Sequence, residues 1–375
     1  MKPSLVVVGS GFYGSTMARL FVEKFDCDVL VIEKRSHIGG NAWSSRDEST
    51  GIEVHHYGTH LFHTSNLKVL NFLMRFTTFN SYQHKVWTNH NNKIYSLPIN
   101  LLTISQIYEK AFSPSEARAL MDSESMSHAD NSDANESLET WAISKVGKKI
   151  YDSLIKDYTQ KQWQVAPSDL PSEIISRLPV RFNFDNRYFN DDFEGLPVDG
   201  YGNLFKKILD HPKITVLLNT DYFETAYFRD QSVKQVFTGP IDRYFDYQHG
   251  LLGWRTLDFS VERHAVGDFQ GTSVMNFSDM SVPYTRIHEF RHLHPEREQA
   301  PNETIIMKEF SRFASTSDEP YYPISSSEDR EKMLLYRKEV AKTPQVIFGG
   351  RLGTYKYLDM HAAIASAFVD FEQNF

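Results

Sequence analysis

The chain has 375 residues, 41% hydrophobic and 23% charged, which excludes a disordered polymer and leaves room for two or three packed units. A net charge of −8 argues against general nucleic-acid binding, so an anionic ligand has to be met by a few local cations. Cys27 is the only cysteine, which rules out an intramolecular disulfide and a cysteine-based zinc site.

The first apolar run, Leu5 to Val8, is short and rich in β-branched residues, as in a buried parallel strand. It is too short for a signal core or a membrane span, so a cytoplasmic protein without membrane insertion is expected. Gly9-Ser10-Gly11-Phe12-Tyr13-Gly14 follows, then a helical pattern through Phe25 and a second strand, DVLVIE, ending on Glu33. This is one βαβ unit carrying GxGxxG. Gly9 permits the tight turn, Gly11 lets backbone approach a pyrophosphate, and Gly14 lets helix and strand pack closely. The phosphates then meet free N–H groups at the positive end of the helix. An acid at position 33 suits ribose hydroxyls and disfavours a 2′-phosphate. EKRSHIGGN, with Lys34, Arg35, Gly39, Gly40 and Asn41, adds a second close backbone approach, which favours an extended FAD over NAD.

HHYGTHLFH places His55, His56, His60 and His63 within a few positions of one another. His56 and His60 have helical i, i+4 spacing for a metal, but Tyr57-Gly58-Thr59 is poor helix material and no acidic trio completes a shell. No metal is expected.

Downstream, Asn66 to Phe76 reads as a capped amphipathic helix and Ser81 to Leu97 as a hairpin turning at NHNN. Thr103 to Arg177 is mostly helical, with the polar stretch Asp122 to Glu139 a solvated connection. WRTLDFSVE, SVMNF, YTRIHEF and TIIMKEF are strand-like; Glu328 to Lys342 is helical; QVIF enters Gly349-Gly350-Arg351; and a last helix starts near Asp359. No repeat is evident. The order predicts an α/β protein (α+β overall). A discontinuous Rossmann-like FAD-binding domain takes 1–80, 198–238 and 325–375. A helical insert domain takes 100–176, and an antiparallel β-sheet domain takes 81–99, 177–197 and 239–324.

IEKRSHIGGNA, YGTHLFHT, YTQKQW, RLPVRFNFDNRYF, TGPIDRYFDY, VPYTRIHE, DEPYYP and GGRLGTYKYLDMH together resemble the bacterial UDP-galactopyranose mutase family over nearly the whole chain. The resemblance implies a homodimeric FAD enzyme that interconverts UDP-galactopyranose and UDP-galactofuranose, supplying furanose donors for surface polysaccharides such as O-antigen or capsule. In that family reduced flavin N5 attacks the anomeric carbon and displaces the nucleotide diphosphate. The sugar opens and recloses as a flavin adduct, and the diphosphate returns with no net oxidation. An external reductant keeps the flavin active.

The same resemblance assigns Arg177 and Arg286 to the departing diphosphate, a task that suits arginine's planar fork. Tyr158 and Thr159 fall at the uridine pocket, with Trp163 on a neighbouring mobile loop. Tyr188, Tyr322 and Tyr357 match tyrosines that hydrogen-bond the phosphates, and Asn276 and Glu309 lie near the sugar. His60 and Arg351 fall beside the flavin, with Asp359 and Met360 opening a helix whose N–H groups stabilise the reduced anion. Cofactor contacts are expected from Gly9, Gly11, Phe12, Gly14, Glu33, Lys34, Arg35, Gly40 and Asn41.

The chain departs from the family pattern at Thr59, within Gly58-Thr59-His60, and at Asp157 and Gln164, where glycine is common. These changes leave the reaction class intact but open the choice of sugar nucleotide to UDP-N-acetylgalactosamine or a thymidine-linked deoxy sugar. Two further readings are an amine-oxidase-like FAD oxidoreductase and a nucleotide-binding scaffold without catalysis.

Overall fold

All four side chains of the first strand, Leu5–Val8 (β1), are buried, as a continuous apolar run in a parallel sheet requires. The computed structural model describes residues 2–126, 137–175 and 179–375, and the chain divides into two compact units. The first comprises Met1–Tyr82, Asp191–Arg255 and Ala314–Phe375; the second comprises Gln83–Asn190 and Thr256–Phe313.

In the first unit β1 leads through the glycine loop into the helix Phe12–Phe25 (α1) and the strand Val29–Ile32 (β2). A five-stranded parallel sheet runs in the order Val346–Phe348, Lys234–Phe237, β1, β2, Ile214–Leu217. The chain passes from β1 to β2 on one side and later returns to β1's other side with Lys234–Phe237. The strand order therefore reverses beside β1, and the crevice at such a reversal is where open α/β sheets bind ligands. The last helix, Met360–Asn374, packs along α1 through Phe21–Phe375 and Phe25–Phe371 ring contacts, and Tyr13 donates to Asp370 at 2.6 Å. The helix Leu67–Met74 is capped as its sequence predicts, with the Asn66 side chain accepting from the amides of Lys68 and Val69.

The second unit combines a helical core with a sheet. Helices Leu101–Ile107, Pro114–Met126 and Leu138–Ile150 enclose Ile104, Ala117, Leu138, Ala142, Ile150 and Tyr151. Asn100 and Ser137 cap two of them. A π-helical turn, Tyr151–Ile155, then feeds the helix Lys156–Trp163. Of the polar stretch expected as a solvated connection, residues 127–136 lie outside the described residues.

The sheet of this unit runs Trp254–His264, Thr304–Phe313, Arg286–Glu289, Val274–Phe277, Val86–His90, Lys93–Leu97. The hairpin turn falls at Asn91-Asn92, both with positive φ, the backbone an I′ turn demands. The sheet is mixed where a wholly antiparallel one was expected, because Val274–Phe277 runs parallel to Val86–His90. Those neighbours come from segments on either side of the helices, so no tight turn dictates their direction. Among the described residues no helix is long and apolar enough to cross a membrane.

Candidate active site

The glycine loop of the first unit shows why each glycine is needed. A Cβ on Gly14 would lie 2.0 Å from the Gly9 carbonyl oxygen, and one on Gly9, at φ +92°, would lie 2.1 Å from Thr238 Oγ1. A Cβ on Gly11 would meet nothing within 4 Å. Two of the glycines are therefore closed by protein and the middle one faces open space. Gly11 is also the N-cap of α1, with no side chain capping the helix and no acid in its first turn. That is the geometry of a pyrophosphate cradle.

Around it, Glu33 is buried and accepts from the Ser10 amide at 3.0 Å, the Ser10 hydroxyl at 2.6 Å and the Arg35 amide at 2.9 Å. A carboxylate has about four acceptor sites, so room for one ribose hydroxyl is left. Ser10 also accepts from Gly39 N at 3.1 Å, tying the second glycine segment to the first. Sequence reasoning passed over Ser10 because its partners are distant in the chain. Arg35 donates to Asn41 at 2.7 Å and Glu319 at 3.1 Å and lies over the Tyr57 ring. Among the described residues its buried Nη1 has no partner, which makes it a donor suited to an anionic ligand. Gly40, at φ +57°, approaches Gly11, and the exposed Lys34 pairs with Glu319 at 3.7 Å. Phe12 is packed on Phe205 and Tyr201, so only its backbone faces the loop.

Also in this unit, Arg351 donates to the carbonyls of Tyr321 and Leu358 at 3.0 and 2.7 Å. Its guanidinium sits 5.8 and 4.7 Å from the Tyr322 and Tyr357 rings, which stack on each other. Tyr357 donates to Asp359, the N-cap of the last helix, whose first residue is Met360.

The four histidines go four ways. His55 is buried on a strand, where its Nδ1 accepts from the His60 amide. His56 stacks on Trp43 and bonds Ser45. His63 contacts Asp191 at 2.6 Å, yet burial outweighs that carboxylate and lowers its pKa. His60 Nδ1 lies 2.8 Å from the Gly58 carbonyl, so Nδ1 carries the proton. The close convergence of potential metal ligands among the described residues is elsewhere, at Asp268, Glu289 and His292 of the second unit. There His292 bridges the two carboxylates, and the amides of Phe269 and Gln270 with the Thr304 hydroxyl occupy Glu289, so the cluster closes on itself.

In the second unit Asn276, Arg286 and Glu309 are cross-strand partners and form one row on one face of the sheet. Arg286 Nη2 donates to the Tyr158 hydroxyl at 2.6 Å, and its Nε lies 3.3 Å from Glu309. Because the Tyr158 oxygen accepts from Arg286, its own proton points away from that guanidinium. Burial raises the Tyr158 pKa to about 12 against the pull of Arg286, so the phenol stays a donor. Asn276 Oδ1 is buried and has no partner among the described residues.

Burial alone would raise the Glu309 pKa. The Arg286 charge and the bonds from His288 and Thr285 outweigh it and bring the value to about 2. His288 is held neutral, burial having lowered its pKa, and so serves Glu309 as an N–H donor. A carboxylate with a depressed pKa stabilises the fold above its unfolded value, 4.5, and loses that contribution as pH falls toward 2. In Glu309→Gln the urea midpoint should therefore fall well below that of the parent at pH 7, and the gap should narrow at pH 3. A gap that stays constant with pH would mean that Glu309 is not held ionised.

Tyr188 donates its amide to the His84 carbonyl at 2.8 Å, in a loop pinned by Arg181, which donates to the carbonyls of Asp185, Arg187 and Phe189. Thr159 is buried. Trp163, expected on a loop, is the last residue of its helix and packs on the helical core. Gln164 then turns left-handed at φ 53°, which explains why glycine suits this place and what its replacement costs, about 1 kcal/mol. Arg177 lies outside the described residues.

Comparisons with known proteins identify the family. The family model for UDP-galactopyranose mutase matches residues 153–357, and one for an NAD(P)-binding Rossmann-like domain matches residues 7–76. The chain is 40% identical over 367 residues to dTDP-fucopyranose mutase of Escherichia coli, covering 97% of this chain and 96% of that one. It is 39% identical over 365 residues to a probable UDP-galactopyranose mutase of Klebsiella pneumoniae, covering 97% and 92%. A crystal structure of reduced UDP-galactopyranose mutase superposes with a TM-score of 0.74 at 14% identity, covering 99% of this chain and 95% of that chain. With an arginine, tyrosine and glutamate joined inside the segment that the family model matches, the chain belongs to the UDP-galactopyranose mutase family, a family of isomerases.

Proposed function

We propose that the chain binds FAD and, with the flavin reduced, interconverts UDP-galactopyranose and UDP-galactofuranose, supplying furanose donors for surface polysaccharide. The observation that carries the reading is Arg286, oriented by Tyr158 and Glu309. A guanidinium held on two sides presents its fork to a diphosphate without reorganisation, which keeps the departed group placed for return. Tyr158 adds a hydroxyl proton, and Arg177, Tyr188, Tyr322 and Tyr357 are the further phosphate contacts. Trp163 and Thr159 border the base, and Asn276 lies near the sugar.

Gly9, Gly11, Gly14 and the uncapped end of α1 would hold the pyrophosphate of FAD, with Glu33 on the ribose and the buried Nη1 of Arg35 on an anionic oxygen. His60, Arg351, Asp359 and Met360 would border the ring. When bound and reduced, FAD supplies the nucleophile that displaces the diphosphate from the anomeric carbon. We take the working enzyme to be a cytoplasmic homodimer fed by an external reductant.

A second reading, the same chemistry on a thymidine-linked deoxy sugar, is supported by the 40% identity to dTDP-fucopyranose mutase, and the departures at Asp157 and Gln164 leave the choice of nucleotide sugar open. One experiment separates the two. The dithionite-reduced protein is incubated with each sugar nucleotide, trapped with a borohydride reagent, and the flavin is weighed by mass spectrometry. A flavin heavier by a hexose with UDP-galactose supports the first reading, and one heavier by a deoxyhexose with the thymidine nucleotide supports the second. No mass increase and no turnover with any of them would sink both.

A further inference from the structure

The ammonium of Lys161 lies among four backbone carbonyl oxygens: Phe277 at 2.6 Å, Asp279 at 2.9 Å, and Val282 and Tyr284 at 3.0 Å each. An ammonium has only three protons, so four oxygens at this range form a cage around a charge rather than a set of separate bonds. Rings of carbonyl oxygens at such spacing hold dehydrated monovalent cations elsewhere in biology.

The cage is made by the loop between the strands Val274–Phe277 and Arg286–Glu289. Its first carbonyl follows Asn276 directly, and its last lies two residues before Arg286. One charge therefore gathers both ends of the loop that joins two members of the Asn276–Arg286–Glu309 row. Lys161 also stands three residues after Tyr158 on the same helix, a spacing that puts both on one face. The helix meets the sheet through that face by Tyr158 at Arg286, by Lys161 at the loop, and by the Gln162 carbonyl, which accepts from the Ser311 hydroxyl at 2.6 Å. The loop has a second tether, Asp279, which contacts His90 at 2.8 Å and accepts from the Asn91 amide at 2.9 Å.

We propose that Lys161 is a positioning residue, the built-in monovalent cation of a carbonyl cage that sets Arg286 and Tyr158 for the diphosphate. Removing the charge leaves four oxygens facing one another, and the loop relaxes by turning them outward. A free cation of suitable size should replace the ammonium, whereas for one of purely mechanical role no ion would help. The inference rests on the mutase reading, but it also has a readout that does not.

The test uses the full-length, FAD-loaded protein as Lys161→Gly, assayed in choline, lithium, potassium or ammonium chloride at equal ionic strength. In choline and lithium the KM for the sugar nucleotide should rise at least tenfold with FAD occupancy unchanged. Potassium or ammonium should return it to within threefold of the parent, whose own KM does not respond. An unchanged KM in choline, or the same elevated KM in all four salts, would overturn the proposal.

The melting temperature is followed in parallel. Potassium should raise that of Lys161→Gly by several degrees over lithium and leave the parent unmoved; equal effects count against the cage. If the parent converts no sugar nucleotide, the mutase reading fails and the melting temperatures alone judge the cage. Should Lys161→Gly not fold, Lys161→Met keeps the length without the charge. It should show the raised KM and no response to cations, and a parental KM in that variant would overturn the assignment.

Discussion

Arg286→Ala is expected to lower turnover by about 10²–10³-fold, the usual consequence of removing one prearranged donor to a developing charge. Arg286 is not among the residues expected to hold the cofactor, so bound flavin and its absorbance should be retained. Two losses combine. The diphosphate loses its cation, and Glu309, buried and ionised, loses the charge that stabilises it. The variant should therefore also melt earlier. Arg286→Lys keeps the charge but cannot span Tyr158 and Glu309 with one rigid plane, so its turnover should fall between the two. Steady-state rates and flavin content measured on the same preparations decide the matter. Parental turnover in the alanine variant would remove Arg286 from the mechanism.

The second large effect separates two glycines of one motif. Gly14→Val should fail to fold, since the first carbon of any side chain falls 2.0 Å from the Gly9 carbonyl, which is backbone and cannot yield. Gly11→Val should fold, because beyond its chain neighbours nothing among the described residues stands within 4 Å of that carbon, yet emerge colourless. Its side chain would occupy the place of the pyrophosphate, and flavin affinity should drop by at least 100-fold. Circular dichroism and flavin titration read the two outcomes. A yellow Gly11→Val protein would show that no phosphate lies over Gly11.

How much of this could be read without coordinates depended on distance along the chain. The βαβ unit was legible because its signals are local: a β-branched run, three glycines, a helical period and an acid within one short stretch. Asn66 as a cap and Asn91-Asn92 as a turn were legible for the same reason. Glu33 was recognisable as an acceptor, but not that Ser10, 23 positions away, takes much of its capacity. The union of Tyr158 with Arg286 spans 128 positions, and only the family resemblance pointed to both. Lys161 left no trace, because its partners are carbonyl oxygens and every residue has one. The histidines misled in the opposite direction. Their density suggested a shared task, but strand alternation and the turn at Gly58 send each ring to a different neighbour.

The contact between Tyr13 and Asp370 joins residues 357 positions apart, and the aromatic rings of α1 rest on those of the final helix. The central strand of the nucleotide sheet likewise pairs with Lys234–Phe237, and that strand with Val346–Phe348. On the ribosome β1 and α1 therefore wait for these later elements before their apolar faces are covered. Such long-range closure slows folding and leaves the early segments open to wrong partners during synthesis. The nascent stretch from β1 to β2 should therefore lean heavily on chaperones, and loss of the helix Met360–Asn374 should be felt first at α1.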